Sequence, residues 1–526
     1  MTRSADALVA DLEARLRPVE IELAEAWWES NTRSSPAAEA RRTAADLARR
    51  TALSDPTAFA ELAEARASSI DDPQVRRQVE VLHDLLLPHQ VPEDLRRAMV
   101  ELETRVEATF NTFRGELDGA RVDDNAILEI LRTSDDAALR RRAWETSKQV
   151  GAAVADDVRT LARLRNEAAR TLGYRDHFAL SLATDELDED RLFATLAEVD
   201  AHTADAFAEW KHVLDATLAA RFGCAVGDLR PWHLDDPFFQ DPPVAGSVDL
   251  DPLFEAVDLE AITLATYDGI GLDVRPVLER SDLYAREGKS QHAFCIDIDR
   301  TGDVRVLCNI ERNERWADTM LHEFGHAIYD REVSTDLPWL LRGPAHALTT
   351  EGVAMLFGRL VRDPQWLGGV AGVLPDSLAG VADALAGARR SALLVFARWV
   401  LVMTHFEQRL YADPDGDLDG IWWELVERFQ LVRRPDGRAA PDWAAKVHLA
   451  VAPVYYQNYL YGELVASQLS AALTKRAGGI VDRPEAGRWL AEAFFSGGAT
   501  LRWDDLVTAA TGEPLTARHL AAELGA

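Results

Sequence analysis

Residues 321–330 read Leu321-His322-Glu323-Phe324-Gly325-His326-Ala327-Ile328-Tyr329-Asp330. His322 and His326 are four apart, so on a helix they share one face, one turn from each other. That spacing lets two imidazoles reach one metal ion, and Glu323 follows the first of them, placed to address a water on that metal. This is the His-Glu-x-x-His zinc-site pattern, in which catalytic sites have three protein ligands and keep a fourth position for water. The sequence offers Glu351, in Thr349-Thr350-Glu351-Gly352, as third ligand on a second apolar helix 25 residues after His326. Zinc, one ion per chain, is the expected cofactor.

Outward from the motif, the helix should begin near Asn313. Just before it, His292–Ile298 and Val304–Asn309 read as strands around the turn 299–303, the one clear hairpin in the pattern. A strand beside a metal site can bind an extended peptide through its main chain. Cys295 and Cys308 are symmetric about Thr301-Gly302, so they could face each other across that hairpin, but with three cysteines in all (Cys224 the third) free thiols are expected. Residues 1–225 read as successive helices. Leu8, Leu12 and Leu16, then Val19, Ile21 and Leu23, mark an apolar stripe, and Asp55-Pro56 and Asp72-Pro73 mark helix starts. The Pro- and Asp-rich stretch 228–252 cannot hold a long helix and suggests a boundary. We expect residues 1–240 to form an amino-terminal helical lobe and 241–526 a motif-bearing lobe of one continuous unit. His233, beside Asp235 and Asp236, reads as a surface ion pair rather than a ligand.

Charge narrows the classes. The 526 residues carry 57 basic against 88 acidic side chains, a net charge of −31, which argues against nucleic acid or an anionic membrane as partner. The start lacks an apolar signal core, and the apolar run 391–404 is interrupted by Arg398 and too short to span a bilayer. A cytoplasmic protein is expected. Only five lysines occur, at 148, 211, 289, 446 and 475. Lys446 lies in a segment with His448, Tyr455, Tyr456, Tyr459 and Tyr461, which suggests a lined cleft; Tyr456 and Tyr459 share a helix face.

Together these residues resemble a known family. His292-Ala293 stands 30 residues before His322; Lys446-Val447-His448 resembles a Lys-x-His motif, and Pro453 to Tyr459 a Pro-Tyr-x-x-Tyr motif. Weaker likenesses lie in WWESNTR (27–33), TLGYRDHFALSL (171–182) and LRWDDLVTAATGEPLT (501–516). The chain resembles the angiotensin-converting-enzyme-like zinc dipeptidyl carboxypeptidases, and more distantly the thimet-type oligopeptidases and oligoendopeptidases. The resemblance implies a mainly α fold, a two-lobed helical ellipsoid with a deep central channel, amino-terminal lid helices and a small hairpin beside the motif helix. It implies zinc ligation by His322, His326 and Glu351 and general-base action by Glu323. It implies oxyanion stabilisation by Tyr459 and His448, capture of a substrate's free carboxylate by Lys446 and Tyr456, and main-chain contacts from His292 and Ala293. Short peptides are the implied substrates. Release of carboxyl-terminal dipeptides is the first expectation, oligoendopeptidase cleavage the second, and a peptide-binding scaffold without activity the third.

Three positions depart from the family. Met355 stands where an Asp orients a zinc-bound His. Asn458 replaces a chloride-binding Arg, so chloride activation is not expected. No Gln lies between Gln240 and Gln291, where the family's carboxylate-binding Gln is sought.

Overall fold

The amino-terminal helices start where the sequence offers a side-chain acceptor. Ser4, Ser35, Asp55 and Asp72 each accept a hydrogen bond from a backbone N–H in the first turn of helices Ala5–Thr32, Pro36–Leu53, Pro56–Ala67 and Pro73–Leu86. Pro opens the last three, where its fixed φ suits the first turn and its missing N–H costs nothing. Leu8, Leu12 and Leu16 are buried with Leu53, Leu62, Val79, Leu82, Leu86 and Trp339 in one apolar cluster. Val19, Ile21 and Leu23 are only half-buried. The computed structural model describes residues 3–243, 250–379 and 382–525. It is 70% helical, with two antiparallel two-stranded sheets among the described residues.

By contacts the chain forms two units, each assembled from separated stretches. The first comprises Met1–Gln90, Val248–Leu385 and Tyr461–Leu520; the second comprises Val91–Ser247, Ala386–Leu460 and Ala521–Ala526. The units are thus interleaved in sequence. One change of unit, at 247/248, falls within the Pro- and Asp-rich stretch, of which residues 244–249 lie outside the described residues.

In the first unit, the motif helix Glu314–Glu332 is capped by Asn313, whose side chain accepts from the Trp316 N–H at 2.9 Å. Ala317, Met320, Leu321, Phe324, Ala327 and Ile328 recur at helical spacing and are buried. Against it packs helix Ala347–Gly358, capped by the His346 imidazole. The hairpin before the motif helix pairs two strands, here β3 (Phe294–Asp297) and β4 (Val304–Leu307). Its register places Cys295 opposite Val306, not opposite Cys308, and all three cysteines are free thiols. Lys289 is buried, its ammonium donating to the carbonyls of Asp282, Tyr284 and Cys308.

The second unit holds a hairpin that the sequence reading did not identify, β1 (Gly115–Leu117) and β2 (Ala120–Val122). Asp118 and Gly119 both have positive φ, +53° and +82°, as a tight two-residue turn requires. Arg398, which interrupts the apolar run in helix Ala382–Ala412, is buried and donates to Asp200 and Thr203. His233 is no surface residue. It is 5% exposed, and its Nδ1 accepts from the Arg230 N–H at 2.9 Å. No helix among the described residues is long and apolar enough to cross a membrane.

Residues 449–455, which join His448 to Tyr456, are held by two buried ionisable side chains of this unit. Arg165 donates to the carbonyls of Leu449, at 3.0 Å, and Ala450. Glu407 is 1% exposed and accepts from the N–H of Val454, whose φ is +54°. Burial pushes the Glu407 carboxyl up to about 8. The folded chain therefore keeps a proton that the unfolded chain has lost, and the stability drawn from this group falls as pH rises from about 5 to 8, by up to about 1.4 kcal/mol per pH unit. Glu407→Gln keeps an acceptor for Val454 and removes the titration. Its melting temperature relative to wild type should climb between pH 5 and 8; an offset constant across that range would contradict the assignment.

Candidate active site

His322, Glu323, His326 and Glu351 all lie in the first unit. Gly325 on the motif helix meets Ala354 on helix Ala347–Gly358 so closely that a Cβ on Gly325 would sit 2.8 Å from the Ala354 Cα. That approach presents Glu351 to both imidazoles. Glu351 Oε2 is 3.7 Å from His322 Nε2 and 3.9 Å from His326 Nε2. One donor atom from each of the three residues lies within 4.8 Å of the others. Gly462 backs this arrangement, with the Glu351 Cβ 3.2 Å from where its own Cβ would be.

The three groups fit a zinc ion chemically as well as spatially. Burial drives His322 down to about 4, and burial with the adjacent His322 drives His326 down to about 3, so both imidazoles are neutral and ready to ligate. Burial raises Glu351 to about 7, with Glu463 adding to the shift. Burial raises Glu323 to about 8; Glu351 adds to it, and a hydrogen bond from the Cys295 N–H opposes it. No Lys or Arg pairs with Glu323 or Glu351 among the described residues, and a divalent cation is the group that would return both to their ionised forms. Thr350 supplies the outer partner that Met355 cannot. Its Oγ1 lies 2.7 Å from His326 Nδ1, which leaves Nε2 facing Glu351 as the atom available to a metal. Nothing in the sequence flagged Thr350 beyond its place beside Glu351.

β3 brings main-chain groups to the same region. The Ile298 N–H donates to the Asp303 carbonyl, which makes 298/303, 296/305 and 294/307 the hydrogen-bonded pairs of the hairpin. The N–H and C=O groups of Ala293, Cys295 and Asp297 therefore point away from β4. Cys295 already uses its N–H on Glu323. The outer edge of β4 is taken by Asp282, whereas no strand lies beside β3 on its other side among the described residues. His292, just before β3, is exposed.

The remaining site residues form a cluster in the second unit. Lys446 donates through Nζ to Gln240 Oε1 at 2.8 Å, and its ammonium lies 5.2–5.8 Å from the ring centroids of Trp399, Phe238 and Tyr456. Burial brings its pKa down to about 8, opposed by Asp236 and Asp241. Gln240, at the edge of the window where the sequence reading found no suitable Gln, is thus beside Lys446 after all. The His448 ring lies 5.1 Å from that of Tyr456, and its Nδ1 is buried without a hydrogen-bond partner. Burial, then Lys446, lowers His448 to about 4, so it is neutral. Tyr456 and Tyr459 have ring centroids 5.9 Å apart on helix Tyr456–Ala477. Asn458, in place of the family's Arg, donates to Asp185.

If Thr350 sets the His326 tautomer, Thr350→Val should weaken zinc binding by about 10–100-fold. Competition against a chromophoric chelator reads this directly, and unchanged affinity would exclude the role.

Two family models match the chain. Residues 1–200 match the family model described as angiotensin-converting enzyme, and residues 279–526 match that of peptidase family M3. No curated protein matches the chain. Peptidases of both families are zinc metalloenzymes, and the second match spans His322, Glu323, His326 and Glu351. Related to angiotensin-converting enzyme over its first 200 residues and to peptidase family M3 from residue 279 onward, the chain is a metallopeptidase acting on peptides.

Proposed function

We propose that the protein releases dipeptides from the free carboxyl ends of short peptides. The observation that carries this reading is Lys446. A half-buried ammonium, it has a neutral amide as its hydrogen-bond partner and no ion pair among the described residues. Such a cation gains strongly from a carboxylate ligand. Gln240 and Tyr456 beside it supply the further polar contacts that the family resemblance assigns to carboxylate capture.

His322, His326 and Glu351 would hold one zinc. When bound, zinc supplies a Lewis acid that lowers the pKa of water to roughly 7 and polarises the scissile carbonyl. Glu323 takes the proton of the attacking water and passes it to the leaving nitrogen, its carboxylate held in place by the Cys295 N–H. Tyr459 and His448 donate to the developing oxyanion, an interaction whose loss typically costs about 10²–10³ in rate. The outward-facing main chain at Ala293, with His292, pairs with the extended substrate.

A second reading, cleavage within short peptides, is favoured by the match to peptidase family M3 over residues 279–526 and by β3, whose edge grips main chain without needing a terminus. Product mapping by mass spectrometry separates the two. Stepwise loss of dipeptides from the free acid, with the matched amide spared, supports the first reading; internal cuts in both peptides support the second. Chelator-insensitive cleavage, or none, would remove both.

Two variants test the chemistry. Glu323→Gln should lose nearly all turnover yet retain zinc by metal analysis, and near-wild-type turnover would rule out its role as base. Lys446, with a pKa of about 8, is charged below that pH and neutral above it. KM for free-acid peptides should therefore rise as pH increases through 8, and Lys446→Met should abolish that rise. A KM that stays flat from pH 7 to 9 in the wild type would count against the carboxylate contact.

A further inference from the structure

Lys148 is one of five lysines in the chain, is 4% exposed, and has no part in the mechanism above. Its ammonium donates to the Pro237 carbonyl at 2.8 Å and lies 3.1 Å from the centroid of the Phe238 ring. Trp144, one turn earlier, donates to the same carbonyl at 3.0 Å. Gln430, 1% exposed at the end of the π-helical turn Val426–Gln430, donates to the carbonyls of Phe238 and Phe239 at 3.0 and 2.8 Å. Three consecutive carbonyls are thus capped from outside, across a segment in which Phe239 has a φ of +53°. A left-handed aromatic residue is strained and persists only where its surroundings over-determine it.

Asp236 closes the segment from within. Its Oδ1 accepts from the N–H groups of Phe238 and Gln240 at 2.8 and 3.1 Å, and its Oδ2 from Gln240 Nε2 at 3.3 Å. Asp236 offers only acceptors to these amides, and Lys446 has only donors. The Gln240 amide therefore has one satisfactory orientation, with Nε2 on Asp236 and Oε1 on Lys446. A buried lysine and a buried glutamine set against a short loop are costly where apolar side chains would pack as well. What this polar set specifies is the direction of one amide and, through it, the position of the Lys446 ammonium.

The geometry points to Lys148, Asp236 and Gln430 as positioning residues that fix segment 236–240, orient Gln240, and so set the affinity of Lys446 for a substrate's terminal carboxylate. This rests on the carboxylate-capture reading above. None of the three touches substrate. Displacing Lys148 or Gln430 loosens the segment; Asp236→Asn lets the Gln240 amide turn and present Nε2 to the lysine, donor against donor.

The test compares KM for one peptide as free acid and as amide in purified, zinc-loaded enzyme. Lys148→Met, Gln430→Met and Asp236→Asn should each raise KM for the acid by about tenfold, with kcat and the KM for the amide within about twofold of wild type. Lys211→Met is the control for simple destabilisation. Lys211 is another buried lysine of the same unit, paired with Asp215 at 2.5 Å. That variant should lower the melting temperature and leave the acid-to-amide ratio alone. Should Asp236→Asn fail to fold, the Lys148 and Gln430 variants make the same comparison. A wild type that prefers the acid, with variants that keep its ratio, overturns the positioning role alone. A wild type that treats acid and amide alike overturns the carboxylate-capture reading and this inference with it.

Discussion

The close approach of two helices at Gly325 and Ala354 is the constraint on which the candidate metal centre depends. A Cβ at Gly325 would lie 2.8 Å from the Ala354 Cα and 3.2 Å from the Val353 carbonyl, too near for either backbone to remain where it is. The next contact along the pair is equally tight, because a Cβ on Gly358 would stand 2.5 Å from Asp318 Oδ1 and 3.4 Å from the His322 Cβ. Glu351, three residues before Ala354, meets both imidazoles on the other helix. Helix axes held further apart by even one methyl group each would move Glu351 away from the two Nε2 atoms, and interiors packed at crystal density transmit such shifts rather than absorb them.

Electrostatics then follow from burial. Two imidazoles held neutral and two carboxyls pushed upward form a site that disfavours every charge its own side chains can carry. Such a set is stable as neutral groups or around a divalent cation. The hydrogen bond from the Cys295 N–H to Glu323 ties the hairpin to the same group of side chains, so the strand edge and Glu323 share one anchor.

In the second unit the governing factor is also desolvation, but of cations. Lys148 and Lys446 are both lowered by burial, to about 7 and about 8, and the Phe238 ring lies near both ammonium groups. Each has a neutral oxygen as acceptor, the Pro237 carbonyl for one and the Gln240 amide for the other. Arg438, by contrast, is matched with the buried Asp442 through two nitrogens. A cation left with neutral acceptors keeps affinity for an anion that a paired one has already spent.

How much was legible in the sequence depended on how local each feature is. The motif helix, its start near Asn313 and the aspartate-proline helix starts were readable because period and capping act within a few residues. The β1–β2 turn at Asp118-Gly119 carries a local signal too, but strands of three residues give too little alternation to support it. Spacing alone fixed how His322, Glu323 and His326 stand relative to one another, because helix geometry sets residues one to four apart. What meets them was set by tertiary packing. Thr350 on His326, the register that separates Cys295 from Cys308, and Gln240 on Lys446 across 206 residues all result from packing between distant segments. Such contacts depend on complementary shape and on satisfying buried polar groups, neither of which leaves a periodic trace in the chain.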